Sequence, residues 1–327
     1  MSAKLVNLVH ADAFEWLANR RASSIHAVVT DPPYTVVEYE PNQLKKKRNG
    51  NGGVWRLPQS FDGYERKQVP RFTDLTISQR HELATFNSRL AKALFRVLVP
   101  GAHVIVATAN VLSYVLLAAF IEEGFEVRGQ IARIMNTFRG GDRPKGAHEK
   151  YADLSVIPRG AWEPWLVFRK PSDMTIARTL EKWGTGALRR PTTDLPFNDL
   201  VICQRAWGAE SDLTAHPSQK PQALMRHLVR ATLPLGTGVL LDPFMGSGAT
   251  VAAASALGLR SIGIERDRRF YDAAVKVVPK LAAIDVADGV STSVAGRKST
   301  EPSSRTRIRL TRSVAIAART RRRPRSR

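Results

Sequence analysis

The chain has 327 residues, and its 50 Lys and Arg against 29 Asp and Glu give a formal net charge of +21. This length allows one large α/β domain or two smaller ones, and the charge favours a polyanionic partner, nucleic acid ahead of an anionic membrane surface. The single cysteine, Cys203, excludes an internal disulfide framework and a cysteine-rich zinc site. No apolar signal segment opens the sequence, so a cytoplasmic protein is expected. A metal centre is not expected either.

Short apolar runs alternate with segments of helical periodicity along the chain. In chain order the predicted elements are strand 25–30, helix 78–98 ending at Pro100-Gly101, strand 104–108, helix 111–123 with Asn110 as N-cap and Gly124 as stop, strand 239–241, helix 249–257 ending at Gly258, and strand 261–264. This alternation predicts an α/β fold with a doubly wound, mostly parallel sheet. In such sheets, ligands bind beyond the carboxyl ends of the strands.

The uncharged run from Val104 to Ile121 approaches the lower length limit of a membrane-spanning helix. Its first five residues are short and β-branched, which favours a buried strand. Asn110 and Ser113 interrupt the rest, and aromatic residues do not flank it. A strand followed by a helix is therefore predicted, with no membrane association.

Three stretches are basic and lack a regular apolar period. Residues 291–327 hold 12 of the 50 basic residues and one acid, Glu301, so this polybasic tail carries +11 and leaves +10 on the other 290 residues. We expect the tail to be disordered, residues 38–72 to form a mobile basic insertion, and residues 133–150 to contain a glycine-rich loop. The basic side chains that the two loops offer to a phosphate backbone are Lys45, Lys46, Lys47, Arg48, Arg139, Arg143 and Lys145. All three stretches are also compatible with solvated, dispensable surface segments.

The first motif, Asp242-Pro-Phe-Met-Gly-Ser-Gly248, follows a predicted strand and opens a predicted helix. Its glycines allow a tight turn and a close approach of the backbone to a ligand. About twenty residues later, Glu265 ends the next predicted strand, where a carboxylate can accept hydrogen bonds from ribose hydroxyls. The motif lacks the lysine of a phosphate-binding loop and the full dinucleotide glycine pattern, so it favours a nucleoside ligand over an ATPase or a dehydrogenase.

The second motif, Asp31-Pro-Pro-Tyr34, follows the first predicted strand. Two prolines fix an extended backbone, so the Asp31 carboxylate and the Pro32 carbonyl are held in a constant relation. Together they can accept both hydrogens of an exocyclic amino group, and Tyr34 offers an aromatic face to a flipped base. Alone this sequence would be an ordinary proline turn, but beside the first motif it favours a site that acts on an amino group.

With both motifs, the chain resembles the S-adenosylmethionine-dependent DNA amino-methyltransferases, which methylate adenine N6 or cytosine N4. His216-Pro-Ser-Gln-Lys-Pro221 also matches that family, as do the weaker blocks around Asp12 and Glu163-Pro-Trp165. The target-base motif precedes the cofactor motif, which is the permuted order of the family's β group. The resemblance covers residues 5 to 280 and implies a Rossmann-like methyltransferase fold in a catalytic domain of residues 1–285.

The resemblance also implies roles for individual residues. Asp31, Pro32, Pro33 and Tyr34 would hold the target base, and Glu265 would bind the cofactor ribose. The remaining cofactor-binding residues that it implies are Asp12, His216, Lys220, Pro221, Asp242, Pro243, Phe244, Gly246, Ser247 and Gly248. An acid at the position of Asp31 is commoner in the family's adenine enzymes, whereas serine is commoner in the cytosine-N4 enzymes.

Residues 170–215 stand where the family often carries target-reading side chains. Arg189 and Arg190 in this segment can read guanine edges or touch phosphate. Double-stranded DNA is the implied partner, which would associate the protein with the nucleoid; a homodimer and a cognate restriction endonuclease are left open. The alternatives are a cytosine-N4 enzyme, transfer to RNA or to a protein amide, and a non-catalytic nucleic-acid-binding protein on this fold.

Cytosine-C5 methylation requires a thiolate nucleophile, usually after a proline. Cys203 lies in Val201-Ile-Cys-Gln204, without that proline and without an adjacent basic residue to lower its pKa. It is therefore predicted to be a buried structural cysteine.

Deletion of residues 291–327 is expected to weaken DNA binding and to reduce its salt dependence, because 12 basic side chains are lost. Methyl transfer at low salt should persist, since the tail lies outside the predicted catalytic domain. Binding isotherms at several salt concentrations, with transfer assays at the lowest, check both parts. Loss of transfer at low salt would contradict the predicted domain boundary.

Overall fold

The computed structural model describes residues 5–33, 75–135, 144, 147, 149–156, 158, 161–203, 206, 209–213 and 219–286. The described strands are β1 Val6–His10, β2 Ile25–Thr30, β3 Leu98–Ala107, β4 Glu126–Ile134, β5 Trp162–Arg169, β6 Leu200–Ile202, β7 Val239–Asp242 and β8 Arg260–Glu265. The described α-helices are α1 Ala13–Asn19, α2 Ile77–Val97, α3 Ser113–Glu122, α4 Ile176–Trp183, α5 Ala209–Asp212, α6 Gln222–Thr232, α7 Ala249–Ala256 and α8 Arg268–Ala283. Strands and helices alternate along most of this length, as predicted.

The strands form a single sheet in the order β1-β8-β7-β2-β3-β5-β4-β6. β5 pairs antiparallel with both β3 and β4, and the other neighbouring strands pair parallel. The prediction of a doubly wound, mostly parallel sheet is confirmed. Because β5 alone runs in the opposite direction, its first residues lie at the edge where the other strands end; this is the carboxyl edge of the sheet.

Both faces of the sheet are covered by apolar packing. Val28 belongs to the cluster that packs against α1, α2 and α3, whereas its neighbour Val29 belongs to the cluster that packs against α6 and α7. Consecutive strand residues point to opposite faces, so continuous apolar strands are needed when helices cover both sides. The two layers fix the strands in place and leave their ends available for polar side chains.

The main differences from the predicted boundaries lie around Leu98 and Asn110. The second helix ends at Val97, and β3 begins at Leu98 and runs through Pro100 and Gly101, because Leu98 adopts extended angles and pairs with Ile25 of β2. Asn110 does not cap a helix with its side chain: it opens a short 3-10 turn, and α3 starts at Ser113. Within the described residues, none of the helices has both the length and the apolar character to cross a membrane, so the run from Val104 to Ile121 is a strand and a helix.

Gly248 joins the turn after β7 to α7 in a left-handed conformation, with φ of +82°. A methyl group at this position would collide with Val278 of α8. Gly258, which ends the turn after α7, also has a positive φ of +68°, but no atom lies within 4 Å of the place where its Cβ would be.

These two glycines form a matched pair for a stability measurement. Gly258→Ala should lower the free energy of unfolding by about 1 kcal/mol through left-handed strain alone. Gly248→Ala should cost about 3 kcal/mol, because overpacking against Val278 adds to the same strain. Urea denaturation of both variants measures the difference, and equal losses would contradict a close packing of α8 on this turn.

Candidate active site

Asp242, the last residue of β7, connects the two motifs. Its Oδ1 accepts hydrogen bonds from the Thr30 hydroxyl at 2.7 Å and from the Phe244 backbone N–H at 3.1 Å. Thr30 ends β2 and directly precedes Asp31, so this bond ties the target-base motif to the cofactor motif. Asp242 is 2% exposed, and burial raises its pKa from 3.8 to about 6, although hydrogen bonds from Thr250, Thr30 and Phe244 favour the ionised form.

Glu265 lies at the end of β8, one strand away from Asp242. One of its carboxylate oxygens accepts from the Gly246 N–H at 3.1 Å, and the other accepts from the Asp267 N–H at 2.8 Å. Burial raises the pKa of this half-buried carboxyl despite those bonds. Each oxygen carries two lone pairs, so both can accept a further hydrogen bond, for instance from a pair of vicinal hydroxyls.

Asp31 lies immediately beyond β2 and forms an ion pair with Lys220. The Lys220 ammonium is 2.5 Å from Asp31 Oδ2 and 3.6 Å from Oε1 of Glu163, the second residue of β5. Glu163 Oε2 in turn lies 3.5 Å from the Arg133 guanidinium of β4. Burial alone would lower the pKa of Lys220, but the carboxylates of Asp31 and Glu163 outweigh it and raise that pKa.

Asp12 lies just beyond the end of β1 and directly precedes α1. Its carboxylate accepts from the backbone N–H groups of Phe14 and Glu15, so in this structure it is an N-cap. Phe14 lies with its ring centre 6.5 Å from that of Phe244, and Phe86 of α2 contacts both rings. An aromatic cluster therefore lies beside the Asp242 turn.

The structure brings some of the sequence-predicted site residues together and leaves others elsewhere. Asp12, Asp31, Pro32 and Pro33 follow the ends of β1 and β2, and Glu265 is the last residue of β8. Lys220 and Pro221 precede α6, and the turn to Gly248 begins at Asp242, the last residue of β7. Tyr34, His216, Lys45, Lys46, Lys47, Arg48, Arg139, Arg143, Lys145 and the whole of segments 38–72 and 291–327 lie outside the described residues.

Arg189 and Arg190 do not lie at the carboxyl edge. The Arg189 backbone N–H donates to the carbonyl of Ala231 in the last turn of α6, and the Arg190 carbonyl accepts from Arg230. Because α6 begins next to Lys220 and leads into the start of β7, its last turn lies at the amino ends of the strands. The segment 170–215 thus contributes α4, β6 and α5 to the fold, and Arg189 and Arg190 are exposed at the edge opposite Asp31.

Sequence reasoning did not identify Thr30, Arg133 or Phe86 as site residues, and it noted Glu163 only within a weak block. Arg133 carried a usable signal, since it is a charged residue within the short apolar run from Ile131 to Met135. Its guanidinium Nε donates to the carbonyl of Cys203 at 3.2 Å. Cys203 itself is 3% exposed and burial raises its pKa, which suits the structural role predicted for it.

Three parallel strands end at or just before a carboxylate, and a glycine turn leads into a helix beside them. These features are typical of a nucleoside-binding site in an α/β fold. The family model of N6/N4 DNA methylases matches residues 25–276. The chain belongs to this family of S-adenosylmethionine-dependent enzymes, which methylate amino groups of DNA bases, and the resemblance stated from the motifs is confirmed.

Individual proteins of known identity support the assignment. The chain is 26% identical over 300 residues to the type II methyltransferase M.HindIII of Haemophilus influenzae, with 82% of this chain and 93% of that protein covered. It also resembles the solved structure of M1.HpyAVI in complex with SAM, with a TM-score of 0.52 and 20% identity over 85% of this chain and 100% of that chain. For the cytosine-N4-specific PvuII DNA methyltransferase the TM-score is 0.55, with 16% identity over 87% and 89% of the two chains. At these identities the structural likeness establishes the fold.

The raised pKa of Asp242 predicts a pH dependence of stability. A carboxyl that holds its proton more tightly in the folded state stabilises that state fully below pH 3.8, and this stabilisation is lost as the pH rises through about 6. Asp242→Asn removes this loss while keeping an acceptor for Thr30 and Phe244. The free energy of unfolding of the variant minus that of the wild type should therefore increase between pH 4 and pH 7, by at most about 3 kcal/mol.

Urea unfolding at a series of pH values measures this difference. Asp267→Asn serves as a control of opposite sign, because hydrogen bonds from Arg269 lower the pKa of Asp267 to about 2. Its stabilising effect is present above pH 4 and disappears as the pH falls through 2. Parallel pH curves for the wild type and Asp242→Asn would contradict the burial of an ionisable carboxyl at the end of β7.

Proposed function

We propose that this DNA methyltransferase transfers the methyl group of S-adenosylmethionine to N6 of adenine in double-stranded DNA. The observation that carries the proposal is the Thr30–Asp242 hydrogen bond, because it couples the residue preceding Asp31 to the turn of the cofactor motif. A base amino group at Asp31 and a nucleoside cofactor at Asp242 would then share the carboxyl edge of adjacent strands.

The chemistry of the side chains at this edge fits the cofactor. Glu265 retains lone pairs for the ribose hydroxyls, and Gly246 and Gly248 keep the turn beside it free of side chains. The aromatic rings of Phe244 and Phe14 offer apolar surface. Asp12, Pro243, Ser247 and Pro221 remain candidate cofactor contacts, and Asp242 acts by fixing the turn.

The bound cofactor supplies a methyl group that its positive sulfur already activates. Transfer would form a bond between the base nitrogen and this carbon, break the carbon–sulfur bond with its electron pair left on sulfur, and release one proton from the amino group to solvent. The lone pair of that nitrogen is delocalised into the ring, so the base must be activated. Hydrogen bonds to Asp31 and to the Pro32 carbonyl favour a localised lone pair, and they hold the nitrogen in line with the methyl group.

A base inside a duplex cannot reach this edge, so the target must be flipped, at a cost of a few kcal/mol. Stacking on Tyr34 would offset part of that cost, and the basic side chains at Lys45–Arg48 and at Arg139, Arg143 and Lys145 would contact phosphates. The likeness to a type II methyltransferase supports a role in protecting DNA from a cognate restriction endonuclease.

The choice of adenine rests on Asp31. Within the family the chain resembles, an acid at this position is commoner for adenine and serine for cytosine N4. The likeness to the cytosine-N4-specific PvuII enzyme concerns the fold and does not favour cytosine.

Incubation of the full chain with duplex DNA of diverse sequence and labelled S-adenosylmethionine, followed by digestion to nucleosides, tests the proposal. Label in N6-methyladenine is the expected result. Label in N4-methylcytosine would overturn the base assignment, and failure to label any DNA would overturn the proposed activity.

Asp31→Ala is expected to lower the transfer rate by at least about 100-fold, since the acceptor for the amino group is lost. Cofactor affinity should stay within a few-fold of wild type, because Asp31 faces the base. Glu265→Gln is the converse control, in which cofactor affinity falls. Equilibrium dialysis with S-adenosylmethionine alongside single-turnover assays separates the two, and loss of cofactor binding in Asp31→Ala would contradict this division of roles.

A further inference from the structure

Four residues of alternating charge form a row across the carboxyl edge: Asp31, Lys220, Glu163 and Arg133. Successive members are 2.5, 3.6 and 3.5 Å apart, measured between the nearest charged atoms. We call this set the charge row; its four charges sum to zero. It joins the end of β2, the residue before Pro221, the start of β5 and the end of β4.

Three members of the charge row are buried, unlike an ordinary surface ion pair, and the side chain of Asp31 at its end is 21% exposed. The side chains of Lys220, Glu163 and Arg133 are 11%, 8% and 3% exposed. Removing such charges from water costs several kcal/mol per ion unless each is paired. Burial of the row therefore costs free energy. The member at one end of the row is Asp31, the residue proposed to bind the target amino group.

The far end of the charge row is rigid. Arg133 and Glu163 are directly opposite one another in the β4–β5 register, and Arg133 also donates to the Cys203 carbonyl. The Lys220 ammonium lies 5.8 Å from the centre of the Trp165 ring on the same strand as Glu163. Two strands therefore fix Glu163, and Glu163 and Trp165 fix the Lys220 ammonium next to Asp31.

We propose that Lys220 is a positioning residue that fixes the Asp31 carboxylate for the target amino group, and that Glu163 acts by holding Lys220. This inference rests on the proposed role of Asp31 in binding the base. Pro32 and Pro33 fix the backbone after Asp31 but not its side-chain rotamer, which the Lys220 ammonium fixes instead. An oxygen with two lone pairs can accept from Lys220 and from an amino group together, so the ion pair need not break when the base enters.

The geometry thereby assigns Lys220 to the base side of the site, whereas the sequence resemblance implied a role at the methionine end of the cofactor. The raised pKa of Lys220 agrees with this position, since the ammonium stays charged between two carboxylates. Glu163 and Arg133 then contribute to methyl transfer without touching base or cofactor.

Kinetics of the full chain separate the two roles of Lys220. Lys220→Met should lower kcat by roughly 100-fold, because the carboxylate loses its fixed orientation, while the Kd for S-adenosylmethionine changes less than three-fold. Lys220→Arg should restore part of kcat, and Lys276→Met, at an exposed position of α8, should match the wild type. An unchanged kcat, or a lost cofactor affinity with kcat retained at saturation, would overturn the proposal.

The double variant Lys220→Met/Glu163→Gln tests the row itself. It removes one positive and one negative charge, so the net charge of the row stays at zero, whereas Lys220→Met alone changes it to −1. If Glu163 acts only through Lys220, the double variant should be no slower than Lys220→Met. If Glu163→Gln lowered kcat in the Lys220→Met variant by as much as it does in the wild type, the assigned role of Glu163 would be contradicted.

A readout independent of methyl transfer distinguishes failure of this inference from failure of the proposed function. NMR titration of the Lys220 ammonium should give a pKa above the ordinary lysine value in the wild type and a lower one in Asp31→Asn. An ordinary pKa in a wild type that methylates DNA would overturn the ion pair alone. A raised pKa in a wild type that transfers no methyl group would leave the ion pair intact and refute the proposed function, together with any role for Lys220 in transfer.

Discussion

The hydrogen bond between Thr30 and Asp242 joins residues 212 positions apart and fixes the relation between the two motifs. It connects the last residues of β2 and β7, which are parallel neighbours at the middle of the sheet. Asp242 is buried, so its carboxylate needs these donors, and its position depends on the strand pairing being intact. The target-base motif and the cofactor turn are thus held together by a bond that belongs to the core rather than to a flexible loop.

The single antiparallel strand provides the second constraint. Since β5 runs against its neighbours, Glu163 and Trp165 come to the carboxyl edge, where the parallel strands end. A parallel strand at this position would carry those side chains to the opposite edge. The reversal therefore supplies the charge and the ring that surround Lys220, and it explains why a segment far from both motifs along the chain contributes to the site.

Sequence patterns predicted the parts of the site that depend on local structure. Asp31, Asp242 and Glu265 each follow an apolar strand, and the ends of parallel strands meet at one edge, so their proximity follows from pattern alone. The contacts of Lys220 with Asp31 and Glu163 depend on the order of the strands and on the direction of β5, and the apolar periodicity of the sequence does not encode either. Arg189 and Arg190 were predicted as DNA contacts from charge, and this stays a prediction; in the structure they contact the last turn of α6, at the amino ends of the strands. The first predicted helix was extended to Leu98 because its apolar spacing continues into β3, where pairing with Ile25 overrides helical propensity.

The two aspartates at neighbouring strand ends differ in how their charge is balanced. Asp31 is paired with Lys220, whereas Asp242 receives only neutral donors, and the charge of Asp31 adds to the causes that raise its pKa. The described site thus has a cation for one carboxylate and a deficit of positive charge at the other. In the proposed function, a cofactor with a positive sulfur binds at this edge and would reduce that deficit, so that cofactor binding and ionisation of Asp242 would favour each other. The proposed target base is neutral, and Lys220 already neutralises the carboxylate of Asp31. The charge balance of the two carboxylates therefore supports the proposed pairing of a cationic cofactor at Asp242 with a neutral base at Asp31.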